Sequence, residues 1–102
     1  MNRFEKKYEQ MIHDKIIQLC LGKKCHIFLF GSRAFAEHFK GSDFDIGIKG
    51  LSDKDFEQVE FKFKNFLEES IVPYDVDLIN FNHVSESFRE TALKKIITWK
   101  KD

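Results

Sequence analysis

Several kinds of residue and segment are scarce in this sequence, and each scarcity excludes a class of protein. The only two cysteines, Cys20 and Cys25, match no zinc or redox spacing, and a disulfide-stabilised fold would need more of them. We expect both to be reduced thiols. No apolar run reaches the 18 or so residues of a membrane-spanning helix, and the charged start, MNRFEKKYEQ, has no signal-peptide core. These features predict a cytoplasmic protein without a membrane span.

An excess of positive charge is also missing, because 17 Lys and Arg residues balance 17 Asp and Glu residues. Proteins that bind nucleic acid unaided usually carry such an excess, since phosphate neutralisation supplies most of the affinity. Stable nucleic-acid binding by this chain alone is therefore not expected. Several lysines lie near Arg89 towards the C-terminal end. They could form a solvated helix face or a local edge that faces RNA.

Linkers, repeats and prolines are nearly absent too, since Pro73 is the only proline. A length of 102 residues allows one modest core. We therefore expect a single domain over residues 1–102. A macromolecular acceptor would have to be recognised by a shared surface or by a second protein.

Hydrophobic periodicity predicts four helices and three short strands in alternation. The helices are expected over residues 2–21, 33–39, 52–69 and 85–99, and the strands over residues 26–30, 43–48 and 74–79. Ser52 should cap the third helix. The last helix should bury Phe88, Ala92, Ile96 and Trp99. This order indicates an α/β or α+β fold.

One phenylalanine departs from the helical pattern. Phe61 lies roughly 140° from Phe56 around the third helix, taking about 100° per residue, so it should miss the buried stripe. It should then either lie in an interface with a partner or be covered by the last helix.

Two carboxylates mark the second strand. Asp43 and Asp45 are separated by Phe44, so both side chains point to the same face. Adjacent carboxylates repel each other and need a cation or a raised pKa. Hard oxygen ligands of this kind suit Mg²⁺ together with substrate phosphates. An exposed strand face with two acids is the alternative for such a pair taken alone.

A glycine and a serine follow the first strand directly. Gly31 lets the backbone turn sharply and approach a ligand closely, and the Ser32 hydroxyl can add a hydrogen bond to phosphate. Arg33 could contact a phosphate with two hydrogen bonds, lie solvated on the helix, or pair with Asp45. On the third strand, Asp75 or Asp77 could bring a third carboxylate to the same place.

The spacing of these elements resembles that of a known superfamily. An apolar strand is followed by Gly-Ser, ten residues, and Asp-x-Asp, within the stretch FLFGSRAFAEHFKGSDFDIGI. The third acid stands in YDVDLINF, and SESFRETALKKI is similar to the tail helix of these proteins. The chain thus resembles the DNA polymerase β-like nucleotidyltransferases over about residues 26–98, and above all the minimal nucleotidyltransferases (MNT), which are the antitoxins of HEPN–MNT pairs.

The resemblance implies a nucleotidyltransferase fold, with a short mixed sheet of at least three strands flanked by about four helices. It implies Asp43, Asp45 and Asp77 as catalytic residues and as ligands of Mg²⁺ or Mn²⁺, with Asp77 as third ligand or base. Gly31 and Ser32 would lie on the phosphates of ATP.

The function implied by the resemblance is transfer of AMP from ATP to a tyrosine of a partner HEPN toxin. Two other functions stay open at this point. One is a non-catalytic nucleotide-binding or toxin-neutralising subunit. The other is RNA-directed nucleotide addition, which zero net charge disfavours.

Overall fold

The computed structural model describes residues 3–35 and 43–102. Its helices and strands follow in the order α1 (Arg3–Leu19), β1 (His26–Phe30), β2 (Phe44–Lys49), α2 (Asp53–Glu69), β3 (Val76–Asn80), α3 (Glu86–Ala92) and β4 (Ile97–Lys101), and a 3-10 turn, Gly31–Ala34, follows β1. The described residues thus form three helices and four strands. The predicted α+β class with a short mixed sheet is confirmed.

The four strands form one sheet in the order β3-β2-β1-β4. β1 is antiparallel to both β2 and β4, whereas β2 and β3 are parallel. The register sets Phe30 opposite Asp45 on β2, and Asp45 in turn opposite Asp77 on β3. One row along the sheet therefore carries a phenylalanine and two acids.

The two faces of the sheet are covered unequally. The larger core lies against α1 and α2, and alternate strand residues such as Ile27, Leu29 and Ile46 pack there. The opposite face carries a small cluster of buried phenylalanines, Phe28, Phe30 and Phe81. The row of Phe30, Asp45 and Asp77 lies on this second face.

Local sequence signals explain where α2 begins and where α1 ends. The Ser52 hydroxyl accepts a hydrogen bond from the Asp55 backbone N–H at 3.1 Å, which confirms the predicted cap of α2. Gly22 follows α1 with φ of +79°, the left-handed conformation that ends many helices.

The prediction of the last helix is wrong beyond its first two turns. It begins after Ser85 as predicted, but α3 ends at Ala92, and Ile97–Lys101 form a strand that pairs with β1. The run Ile96-Ile97-Thr98-Trp99 is β-branched and aromatic, which favours a strand, and β1 needs a partner on its outer edge. Phe88, predicted to be buried, is 42% exposed.

The helix predicted over residues 33–39 lies mostly outside the described residues, and its described part forms only the 3-10 turn. Phe61 is 67% exposed, so it misses the core as predicted, and the last helix does not cover it. Both cysteines are buried and free. Within residues 3–35 and 43–102, no helix combines the length and apolar character that crossing a bilayer would require.

Candidate active site

Three carboxylates lie near one another at one end of the second sheet face. Asp45 and Asp77 are direct partners in the parallel β2–β3 register, and neighbouring strands lie only about 4.8 Å apart. Asp43 immediately precedes β2, two residues from Asp45, and so points to the same side. The structure therefore brings together the three acids that the sequence singles out.

The environment of Asp45 is unfavourable for its charge. Partial burial raises the pKa of this carboxyl, and the negative charges of Asp77 and Asp43 raise that pKa further. Asp45 is half-buried, while Asp43 and Asp77 are exposed. The cluster thus has an excess of negative charge with an opening to solvent.

Gly31 lies directly beside this cluster. Its φ is +71°, in the left-handed region that L side chains rarely adopt. A Cβ atom at this position would overlap with the carboxylate of Asp45. Glycine is therefore needed here both for the turn after β1 and for the space beside Asp45.

Ser32 is exposed on the same turn, and its backbone oxygen accepts a hydrogen bond from the Phe35 N–H at 3.2 Å. The turn comprises four residues, Gly31–Ala34. A turn this short has no significant helix dipole. Any attraction for phosphate here would therefore come from individual backbone N–H groups and from the Ser32 hydroxyl.

Asp75 and Asp77 occupy different surroundings. The Asp75 backbone oxygen accepts a hydrogen bond from the Phe44 N–H at 2.9 Å, and Asp75 lines a depression with Lys64 and Glu68 of α2. The charges that act on Asp45 are those of Asp77 and Asp43. This geometry favours Asp77 as the third acid of the cluster.

Arg33 takes none of the three positions that the sequence left open for it, which were a phosphate contact, a solvated helix position and a pair with Asp45. Its side chain is fully buried, and its guanidinium donates a hydrogen bond to the Glu5 carboxylate at 3.0 Å. The guanidinium also lies over the rings of Phe44 and Tyr74, with 4.2 and 4.9 Å to the ring centroids. A phosphate contact does not fit this buried arrangement. Arg33 instead ties the turn to α1.

Sequence reasoning missed Glu5, which is almost fully buried on α1. A signal was present, because Glu5 lies on the same helical face as the buried residues Ile12 and Ile16. A carboxylate on the core side of a helix needs a buried cation. Arg33 supplies that cation.

The three acids form a candidate donor set for a divalent cation. Among the described residues, no three acidic, imidazole or thiol side chains already converge on one point as a formed metal site. The chemistry of the donors nevertheless fits Mg²⁺, because Asp43, Asp45 and Asp77 offer hard oxygen ligands. Their mutual repulsion, seen in the raised pKa of Asp45, is what a cation would relieve.

One family model matches most of the chain. The family described as "Polymerase beta, Nucleotidyltransferase" matches residues 14–102. The chain belongs to this nucleotidyltransferase family. Comparison with curated proteins returned no match.

Solved structures of the nucleotidyltransferase family share the fold. One is a complex of the tri-AMPylated Shewanella oneidensis HEPN toxin with MNT antitoxin. The matched chain is 22% identical to this chain with a TM-score of 0.60, and the match covers 92% of this chain and 73% of that chain. A toxin–antitoxin structure with AMP-PNP is 23% identical with a TM-score of 0.61, covering 88% and 73%. A minimal nucleotidyltransferase is 20% identical with a TM-score of 0.63, covering 89% and 92%.

Proposed function

We propose that this nucleotidyltransferase moves AMP from ATP onto a hydroxyl group of a partner protein. The observation that carries the proposal is the row of acids on the open sheet face, with Asp45 opposite Asp77 and beside Gly31. Asp43, Asp45 and Asp77 would hold Mg²⁺ or Mn²⁺ there. A bound divalent cation would neutralise charge on the phosphates during in-line displacement at phosphorus.

The protein's own groups have separate tasks in this reaction. Gly31 allows the triphosphate to approach the backbone, and the Ser32 hydroxyl donates a hydrogen bond to it. The acceptor oxygen attacks the α-phosphorus, the bond from this phosphorus to the β-phosphate oxygen breaks, and pyrophosphate leaves. Asp77 is exposed to solvent, where an acceptor can approach, and it would receive the hydroxyl proton.

The acceptor is proposed to be a tyrosine of a HEPN-type toxin. Two similar structures support this: one is a tri-AMPylated HEPN toxin with an MNT antitoxin, and the other is a toxin–antitoxin with AMP-PNP. The absence of a basic excess disfavours RNA as the acceptor. This chain would then act as an antitoxin by modifying its partner.

Transfer of labelled nucleotide tests the proposed reaction. ATP labelled at the α-phosphate should label a co-purified partner in the presence of Mg²⁺, whereas ATP labelled at the γ-phosphate should not. Asp45→Asn should lower the rate on the order of 10³-fold or more, because it removes a metal ligand. Glu57→Gln, an exposed acid on α2, is the matched control and should keep the wild-type rate. A folded Asp45→Asn protein with near wild-type transfer would refute the proposal.

Phe61 is proposed as a contact to the partner. It is 67% exposed on α2, and a large exposed aromatic side chain suits an interface hot spot. Phe61→Glu should stay folded and bind nucleotide, but lose the partner in a pull-down. Lys62→Glu, its exposed neighbour, controls for added negative charge. Equal partner retention in both variants would exclude Phe61 from the interface.

A further inference from the structure

An apolar pocket lies next to the acid cluster, and apart from Gly31 its wall residues have no part in the reaction described above. Its volume is about 330 Å³, and Phe30, Gly31, Phe35 and Phe88 form much of its wall. Lys94 and Lys95 complete the lining on the side of α3. A pocket of this size can hold a small aromatic group, since ligand pockets begin at about 300 Å³.

The pocket is continuous with the proposed phosphate position. Gly31 belongs to its wall and also lies against the Asp45 carboxylate. Phe30, another wall residue, is the direct register partner of Asp45. A ligand with phosphates at Gly31 would therefore have its remaining part within reach of this pocket.

The wall of the pocket is aromatic in one part and positively charged in another. Phe35 and Phe88 are 52% and 42% exposed although both are large apolar side chains. The Phe88 ring is held at its inner side by Phe30 and Phe81, with centroid distances of 6.0 and 5.8 Å. Among the lining residues that the structure describes, two are lysines and none is acidic. This combination suits a neutral aromatic ring joined to an anionic tail.

We infer that this pocket takes the nucleobase of the nucleoside triphosphate, stacked against Phe35 and Phe88. Lys94 and Lys95 then lie beside the phosphate tail. The inference rests on the proposed function, because it takes the phosphates to lie at Gly31. A purine is preferred over a pyrimidine because its larger ring buries more area against the phenylalanines.

Calorimetry with two ligands separates base binding from phosphate binding. In the presence of Mg²⁺, a non-hydrolysable ATP analogue should bind the wild-type protein more tightly than inorganic triphosphate, which has no base. Phe35→Ala and Phe88→Ala should each weaken the analogue roughly 5- to 150-fold, the range of base–aromatic stacking, and leave triphosphate binding unchanged. Lys94→Gln combined with Lys95→Gln should weaken both ligands alike.

Two controls keep this experiment decisive. Phe88→Leu retains apolar packing on Phe30 and Phe81 while removing the ring, so it should show the same ligand-specific loss even if Phe88→Ala is poorly folded. Phe4→Ala removes an exposed phenylalanine of α1 outside the pocket and should bind both ligands normally.

The outcomes distinguish this inference from the proposed function. If neither ligand binds the wild-type protein, the proposed phosphate site fails. If both bind but the Phe35 and Phe88 variants keep wild-type affinity for the analogue, the nucleobase pocket fails and the phosphate site stands. An equal loss of both ligands in the phenylalanine variants also overturns the pocket, because it would report damage to the phosphate site.

Discussion

Two groups of charged side chains lie on either side of the turn after β1, and they are arranged in opposite ways. On one side, Arg33 is fully buried and donates a hydrogen bond to Glu5, so positive and negative charge are matched. On the other side, Asp43, Asp45 and Asp77 are all acidic and lie at one end of the second sheet face, where Asp43 and Asp77 are exposed to solvent.

The difference shows which charges hold the fold together and which are available for chemistry. A buried ion needs a partner of opposite sign, and the Arg33–Glu5 pair meets that need within the chain. The three acids have no such partner among the charges that shift the pKa of Asp45, since those are themselves acidic. A cluster left unfavourable in the folded protein is a candidate functional site.

The largest expected effect distinguishes the acids within the open cluster. Asp77→Asn should lower nucleotide transfer on the order of 10³-fold, because Asp77 is the register partner of Asp45. Asp75→Asn is the matched control and should lower it only mildly, since Asp75 lines a depression beside α2. Initial rates of label transfer compare the two. The reverse ranking would show that Asp75 is the third acid.

The next effect concerns the buried pair. Arg33→Met should destabilise the protein by about 3–5 kcal/mol, because it leaves the Glu5 carboxylate buried without its guanidinium. The double variant with Glu5→Leu should recover most of this loss. Urea denaturation of both single variants and the double variant measures the coupling. Nucleotide affinity should be unchanged in the double variant; its loss from a folded protein would mean that Arg33 contacts phosphate after all.

The smallest effect is a gain in stability. Asp45→Asn should raise the melting temperature of the metal-free protein at pH 7, since it removes a charge that its neighbours disfavour. Partly exposed charge pairs contribute about 0.2–1 kcal/mol, and 1 kcal/mol corresponds to about 4–8 °C for a domain of this size. The effect should thus lie between about 1 and 8 °C.

The pH dependence of this gain follows from the direction of the Asp45 shift. Its folded-state pKa is raised, so the native state holds the proton to higher pH than the unfolded state and loses stability as pH rises through that interval. The advantage of Asp45→Asn should therefore be full at pH 7 and vanish below the ordinary value of 3.8. Thermal melts with a chelator at several pH values check this, and a variant less stable than wild type at pH 7 would contradict it.

The sequence predicts much of the fold because the relevant signals are local. Alternation around Asp45 and Asp77 indicates two strands with one polar face, and the Gly31 turn follows from an apolar run ending in glycine. The parallel pairing that sets these two acids side by side is a long-range contact. Residue patterns alone suggest it, but only the sheet register decides between Asp75 and Asp77.

The errors have a common physical origin in tertiary contacts. Residues 96–99 fit a helical stripe, yet β1 has an open edge that pairs with them and overrides the helical pattern. Arg33 lies in the candidate phosphate-binding turn, but its guanidinium points into the core, because it donates a hydrogen bond to Glu5 on the distant helix α1. In both cases the deciding partner is distant in sequence. The pattern of α1 marks Glu5 as an acid on the core side, but it does not identify Arg33 as its partner.

The parallel pairing of β2 with β3 also determines when the acid cluster can exist during folding. Parallel neighbours cannot be joined by a tight turn, so the chain must cross over through α2 to bring Asp77 beside Asp45. Contacts between such distant segments form slowly, because closing the intervening chain costs entropy first. A nascent chain released only as far as α2 therefore lacks its third acid. We therefore expect the active site to be complete only after β3 has paired with β2.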